Sequence, residues 1–104
     1  MATQPKGTTL GAYLRELRIE KGLSLKELAD SCNVDLSLFS KIEHGERSLS
    51  LDMIPALAAT LNTDFKTLQI DLMAMRLADD FGKEEYASGA FRKALKKISL
   101  PESK

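Results

Sequence analysis

Few residues of this 104-residue sequence could take part in covalent or metal chemistry. The single histidine, His44, and the single cysteine, Cys32, have no ligating or proton-transferring residues at suitable spacing beside them. Metal sites need several His, Cys or carboxylate ligands, and nucleophilic catalysis needs a nucleophile beside a base. No glycine-rich phosphate loop is present either. The sequence therefore predicts a protein that is not an enzyme and has no cofactor or metal, and whose chemistry is hydrogen bonding and charge.

Residues 22–45 contain two predicted short helices joined by a tight turn. Ser24 followed by Glu27 is a capping box, which predicts that the first helix begins at Leu25. That helix must end near Asn33, since asparagine tolerates the left-handed conformation that a sharp turn requires. The first helix is therefore expected to end at about residue 32.

The second helix, over residues 36–44, is expected to begin after Asp35 as its N-cap and to end at Gly45. Apolar residues of both helices are spaced to face one core: Leu28, Ala29, Cys32, Val34, Phe39 and Ile42. The side chains left outside on the second helix are mostly small or polar. Such a pair is typical of a helix-turn-helix, whose second helix enters the major groove of DNA.

This stretch resembles the lambda-repressor/Cro-like helix-turn-helix family, of the xenobiotic-response-element type. Residues 22–29 match its Gly-h-Ser-x-x-x-Leu-Ala entry (h is apolar), Asn33 matches the turn, and residues 39–45 match its closing h-x-x-Ile-Glu-x-Gly. The resemblance covers residues 10–68 and implies a DNA-binding transcriptional regulator. Residues 40–47, with the helical C-terminal extension, also resemble small regulators encoded beside restriction–modification genes.

The resemblance implies a set of ten DNA-facing residues. Those on the second helix would meet base edges, and those at the start of the first helix and in the loop after residue 45 would meet phosphates. In chain order the set is Ser24, Leu25, Lys26, Leu36, Ser37, Ser40, Lys41, His44, Arg47 and Ser48. Many members of the family have glutamine at the position of Leu25, so one side-chain contact to the DNA backbone is lost here.

Several of these assignments keep an alternative. Lys41 can donate to N7 and O6 of guanine, or it can contact phosphate or remain solvated. Leu36 can pack on a thymine methyl group or be plain surface. Arg47 can meet phosphate or lie solvated in its loop. For His44, a helix-end or phosphate contact is favoured over catalysis.

A charged pair is also implied by the resemblance. The family usually joins the positions of Arg18 and Glu43 by a bidentate guanidinium–carboxylate contact, which fixes how the second helix leans. Both residues would then be structural, although they lie near a DNA surface. Removal of one partner would leave the other charge buried.

The charge balance does not supply the strongly basic surface expected of a DNA-binding protein. The formal net charge is zero, and the seven Lys and Arg of residues 1–65 are outnumbered by nine Asp and Glu. A neutral protein can still bind DNA when its cations lie on one side and helix N-terminal amides hold phosphate. The cations available for this are Lys6, Arg15, Lys26, Lys41 and Arg47.

The hydropathy pattern predicts an all-α protein of six helices. The family resemblance implies a five-helix lambda-repressor-like DNA-binding domain, with a C-terminal helical extension (the fifth and sixth helices) used for dimerisation. The predicted helices cover about residues 8 or 9 to 21, 25–32, 36–44, 51–61, 65–80 and 83–98. The predicted divisions are a flexible arm at 1–7, the DNA-binding domain at 8–68 and the extension at 69–104. In the fourth helix, Pro55 predicts a bend or a late start, and the inward residues are Leu51, Ile54, Leu57, Ala58 and Leu61.

The predicted fifth helix is apolar on two faces, so it needs two packing partners. One stripe is Phe65, Leu68, Leu72 and Met75, and the other is Ile70, Met73, Leu77 and Phe81. The sixth helix has a stripe of Ala87, Ala90, Phe91, Ala94, Leu95 and Ile98 that covers only part of the second stripe. A symmetric homodimer would bury the rest through Ile70, Met73, Leu77, Phe81, Phe91 and Leu95. The alternative is a monomer whose last helix folds back over this surface.

These features favour a sequence-specific transcriptional regulator, a repressor or autoregulator, which binds a pseudo-palindromic operator in double-stranded DNA as a homodimer. The alternative is a protein-interaction module, such as an antitoxin or adaptor, which exposed leucines at Leu25, Leu36 and Leu38 would favour. No apolar run has membrane-spanning length and no secretion signal is evident, so a cytoplasmic protein without a membrane partner is expected. No domain for a small-molecule effector is evident.

Overall fold

The computed structural model describes residues 9–98 of the chain. Within this range it contains helices and turns but no strand, which confirms the predicted all-α fold. The helices are α1 (Leu10–Glu20), α2 (Leu25–Ser31), α3 (Leu36–Glu43), α4 (Ile54–Leu61), α5 (Phe65–Phe81) and α6 (Ala87–Lys97), and a 3₁₀ turn occupies Leu51–Met53. Among these helices, none combines the length and apolarity needed to cross a lipid bilayer. The predicted arm over residues 1–7 lies outside the described residues.

Capping residues determine where α2 and α3 begin. The Ser24 hydroxyl accepts from the Glu27 N–H at 3.0 Å, and the Glu27 carboxylate accepts from the Ser24 N–H at 2.7 Å, which confirms the capping box. The Asp35 carboxylate accepts from the Leu38 N–H at 3.4 Å. Asn33 adopts the predicted left-handed conformation, with φ 59°. These local contacts produce the sharp turn between the two helices.

The core is formed by α1 to α5. The fourteen buried apolar residues of the described range are Leu10, Leu14, Leu28, Ala29, Phe39, Ile42, Leu49, Ile54, Leu57, Ala58, Leu61, Leu68, Leu72 and Met75. Of the predicted core residues, Cys32 and Val34 are only partly buried. The predicted domain division after residue 68 falls inside α5, and Leu72 and Met75 beyond it belong to the same core.

Two residues predicted to face the core are instead exposed. Leu51 is 41% exposed because it lies in the 3₁₀ turn, whose tighter winding rotates it away from the buried stripe of α4. Phe65 is 46% exposed because it is the first residue of α5 and extends past the edge of the core. The late start predicted from Pro55 is confirmed, since α4 begins at Ile54 with the proline in its first turn.

The last helix is shorter than predicted, because α6 begins at Ala87 rather than at residue 83. The Gly82 N–H bonds to the Ala78 carbonyl at the end of α5, and the Glu84 N–H then bonds to the Phe81 carbonyl at 2.9 Å. Residues 82–86 therefore form a turn, although residues 83–86 were expected to be the first residues of the helix. No residue of α6 is buried in the single chain.

Two contacts distant in sequence join α5 to the rest of the domain. The Asp79 carboxylate accepts from the Leu10 N–H at 3.0 Å, at the first turn of α1. Arg76 donates to the Leu49 carbonyl at 3.0 Å, at the end of the loop that follows α3. The later turns of α5 are therefore held against the start of α1 and against the end of the loop that follows α3.

Replacing Asp79 with alanine should lower the free energy of unfolding by about 1 kcal/mol, because the Leu10 N–H would lose an acceptor at a helix start. The measurement is urea unfolding followed by circular dichroism. Asp80→Ala is the matched control, since Asp80 has only a 3.9 Å exposed ion pair with Arg76. Its loss should change stability by less than about 0.5 kcal/mol. Equal effects for the two variants would contradict the capping role of Asp79.

Candidate nucleic-acid interface

The outer face of α3 carries the residues predicted to read bases. Leu36, Ser37 and Lys41 are exposed, and Ser40 is partly exposed. Positions three and four apart on a helix lie on neighbouring turns of one side, so Leu36 and Ser37 are followed one turn later by Ser40 and Lys41, and the four form one continuous strip. Lys41 has no ion pair within residues 9–98, so its ammonium group is available to a ligand.

His44 follows the last residue of α3 and is exposed. Its Nδ1 lies 2.8 Å from the Ser40 carbonyl oxygen. A carbonyl oxygen can only accept, so Nδ1 carries the proton in this contact. The geometry is that of a helix-end contact, one of the two roles expected for this histidine.

The loop after α3 holds Arg47 and Ser48 beside the same surface. Gly45 has φ 80°, and the Glu46 N–H bonds to the Lys41 carbonyl at 2.8 Å. Both Arg47 and Ser48 are exposed. With Arg76 bound to the Leu49 carbonyl, the loop is fixed at its two ends.

At the start of α2, the residues that were predicted to face DNA make contacts within the chain. The Ser24 hydroxyl is engaged in the cap, and Leu25 is partly buried against the core. Lys26 forms an ion pair with Asp30 at 2.9 Å, with both side chains well exposed at 75% and 64%. The hydrogen bond to Asp30 raises the pKa of Lys26. Because water screens such an exposed pair, Lys26 can exchange this partner for a phosphate.

Arg18 and Glu43 form the bidentate contact that the family resemblance implied. Arg18 Nε and Nη2 donate to the two carboxylate oxygens of Glu43 at 2.8 and 3.1 Å, and Nη1 donates to the Leu23 carbonyl at 3.1 Å. The two side chains are 14% and 3% exposed. The hydrogen bond to Glu43 raises the pKa of Arg18. This pair joins α1, the α1–α2 connection and the last turn of α3 at one point.

Close packing around this pair depends on a glycine that the sequence did not single out. A Cβ placed on Gly11 would overlap with the carbonyl oxygens of Ile42 and Glu43. Only glycine therefore lets α1 approach the end of α3 so closely. Arg76 was missed as well. No local motif identifies either residue, because their partners lie 27 or more positions away in the chain.

The surface predicted to form a dimer is largely open in the single chain. Ile70, Met73, Leu77, Phe81 and Leu95 are 52, 39, 45, 49 and 63% exposed, and Phe91 is partly buried. The Phe81 and Phe91 rings make an edge-on contact with centroids 6.4 Å apart. By contrast, the leucine patch expected of a protein-interaction module is incomplete. Leu25 and Leu38 pack on the core, and only Leu36 is exposed.

Replacing Arg18 with leucine should lower the free energy of unfolding by about 3–5 kcal/mol, because Glu43 would remain buried without a partner. Arg18→Lys should recover only part of the loss, since an ammonium group cannot form the bidentate contact. The double variant Arg18→Leu/Glu43→Leu should be more stable than Arg18→Leu alone. Arg15→Leu, at an exposed position on the same helix, is the control in the urea experiment. Equal stability of the Arg15 and Arg18 variants would refute this role.

Comparison with known proteins identifies the family. The sequence profile of a family described as helix-turn-helix domain matches residues 9–68, more than half of the chain. The transcriptional regulator ClgR of Mycobacterium tuberculosis is 32% identical over 62 residues, covering 60% of this chain and 55% of ClgR. The HTH-type transcriptional regulator DdrOP3 of Deinococcus deserti is 40% identical over 47 residues, covering 45% of this chain and 36% of DdrOP3. The chain thus matches about half, or less, of the length of these relatives.

Solved structures agree with this assignment. The restriction–modification controller protein C.AhdI of Aeromonas hydrophila is 41% identical, with a TM-score of 0.51 over 57% of this chain and 89% of that protein. The clp gene regulator ClgR of Corynebacterium glutamicum is 29% identical, with a TM-score of 0.52 over 62% of this chain and 84% of that one. Motifs, fold and relatives agree that this chain belongs to the lambda-repressor/Cro-like helix-turn-helix family of transcriptional regulators.

Proposed function

We propose that the protein is a sequence-specific DNA-binding regulator that represses transcription, including that of its own gene, by binding a pseudo-palindromic operator as a homodimer. The observation that carries this proposal is the exposed polar strip of α3, whose orientation is fixed by the buried Arg18–Glu43 pair. The names of the relatives, two transcriptional regulators, a clp gene regulator and a restriction–modification controller, support the same class of function.

Bases would be read by α3. Its eight residues span about 12 Å, comparable with the width of the major groove of B-form DNA. Lys41 would donate to guanine N7 and O6, and Ser37 and Ser40 would donate to a base or phosphate. Leu36 would pack on a thymine methyl group.

Phosphates would be held on the two sides of α3. On one side are the backbone amides that follow Ser24, with Lys26 released from Asp30. On the other side are Arg47 and Ser48 in their fixed loop. With a net charge of zero, the protein has little long-range attraction to DNA. Non-specific binding should therefore be weak, and specificity must come from these positioned donors.

Two copies of α3 would enter successive major grooves about 34 Å apart, as the operator symmetry requires. The exposed apolar face of α5 and α6 is the proposed two-fold interface, because the same patch on each copy can cover the other. Since α5 also packs in the core, an interface on it would determine the separation between the two α3 helices. Repression would then be steric, and protein concentration would control it through the dimerisation equilibrium.

Reversing the charge of both Lys41 and Arg47 should abolish binding to the DNA upstream of the protein's own gene. Alanine variants separate their roles. Lys41→Ala should cost about 1–3 kcal/mol and relax the preference for guanine at one position. Arg47→Ala should weaken binding to all DNA sequences alike, and it should reduce the magnitude of the slope of log affinity against log salt concentration by about 0.9.

The control for the reversed pair is Lys21→Glu/Lys66→Glu, which changes the net charge equally at exposed positions outside α3, its loop and the proposed dimer interface. Fluorescence anisotropy over a series of salt concentrations measures all of these variants. If Lys41→Glu/Arg47→Glu bound the upstream DNA as tightly as the control, α3 would not be the face that meets DNA.

The dimer has an equally direct test. Ile70→Asp should give a monomer in sedimentation equilibrium, because each copy would bury an unpaired carboxylate in the apolar two-fold interface. Ile19→Asp is a closely matched control, since Ile19 and Ile70 are both 52% exposed and differ only in the surface they occupy. A monomeric parent protein at micromolar concentration, or a dimeric Ile70→Asp variant, would refute the proposed interface.

A further inference from the structure

The end of α5 and the length of α6 enclose an open groove of about 680 Å³. Its walls are apolar, formed by Leu77, Phe81, Ala87, Ala90, Phe91 and Ala94. Glu84 and Glu85 also line it, and both are exposed. A ligand that fills this groove must therefore be apolar where it contacts the walls and positively charged where it meets these two glutamates.

The opposite charge is concentrated at the other end of the same hairpin. Arg92, Lys93, Lys96 and Lys97 occupy the later turns of α6, and all four are exposed. Within residues 9–98, none of these four and neither glutamate has an ion-pair partner. The hairpin is thus acidic where α6 begins and basic where it ends, with both charges unpaired.

The helix α6 itself has the properties that the groove requires. It is amphipathic, it buries no residue in the single chain, and Leu95 is 63% exposed. Alanine at three of the groove-facing positions allows close approach of a second helix. In an antiparallel pair, the end of each α6 lies beside the start of the other. Glu84 and Glu85 of each copy would then lie near Lys93 and Lys97 of its partner, which are one turn apart along one edge of the groove-facing side of α6, and a two-fold axis would form both contacts at once.

We propose that this groove receives α6 of a second copy, packed antiparallel, and that reciprocal pairing of the acidic and basic ends fixes its direction. The inference rests on the proposed homodimer and adds the partner segment and its orientation. Opposed like charges would penalise a parallel arrangement, so charge excludes the wrong pairing as well as favouring the right one. Exposed charges are screened by salt, so the dimer should weaken as ionic strength rises.

A charge-exchange experiment tests the pairing. One variant is Glu84→Lys/Glu85→Lys, and the other is Lys93→Glu/Lys97→Glu. Alone, each variant would place like charges opposite each other in its homodimer. The dissociation constant in low salt should therefore rise by at least about tenfold. Mixed in equal amounts, the two variants should form a heterodimer as tight as the parent dimer, because both charge contacts are again attractive.

Sedimentation equilibrium gives the dissociation constants, and native mass spectrometry identifies the heterodimer. All four positions are exposed, so the fold should be retained, and circular dichroism verifies this. Glu16→Lys/Glu20→Lys, at exposed positions on α1, is the control for a non-specific effect of charge and should leave the dimer unchanged.

Three results would overturn the inference. The first is that both charge variants dimerise as tightly as the parent protein, and the second is that no heterodimer forms on mixing. The third is that parent-like dimer affinity returns only when all four changes are in one chain, which would mean that the charges pair within a copy. With the parent protein dimeric and Ile70→Asp monomeric, any of these refutes the charge pairing alone. A monomeric parent protein would instead refute the proposed homodimer together with this inference.

Discussion

The ion pair between Arg18 and Glu43 is the contact on which the candidate interface depends. It is the one ion pair of the described residues whose two side chains are both largely shielded from water, and it joins three elements at a point behind α3. A buried charge pair adds little net stability, because desolvation offsets the attraction. Its value here is geometric, since two parallel hydrogen bonds allow only a narrow range of orientations. The absence of a Cβ at Gly11 makes room for that orientation.

A protein with no net charge that binds DNA must rely on where its donors are placed. Long-range attraction accelerates encounter and strengthens binding to any sequence, whereas positioned donors discriminate among sequences. In this chain the exposed cations of the candidate interface are few, and α3 and its loop are held by hydrogen bonds on both sides. As a DNA interface, such a surface would have little non-specific affinity, and its binding would depend on the placement of these donors.

Local signals in the sequence predicted most of the fold. Ser24, Glu27, Asn33 and Asp35 act within a few residues, so caps and turns could be read directly and agree with the structure. The errors lie at the first residues of elements. At Leu51 and at the start of α6, a few residues decide between a turn and a helix, whereas α5 begins at Phe65 as predicted but the side chain of Phe65 is exposed. The strip on α3 could be placed from its periodicity. The contacts of Gly11, Arg76 and Asp79 could not, since they exist only after distant segments have packed.

The hydrogen bond from the Leu10 N–H to Asp79 has a consequence for the order of folding. During synthesis on the ribosome, α1 emerges early, but the carboxylate that completes its first turn is translated 69 residues later. Until α5 has formed and docked, that amide lacks the acceptor that it has in the folded domain. The earliest helix of the domain is therefore completed by one of the latest, so the nascent chain should gain its full cooperativity only once α5 has left the exit tunnel.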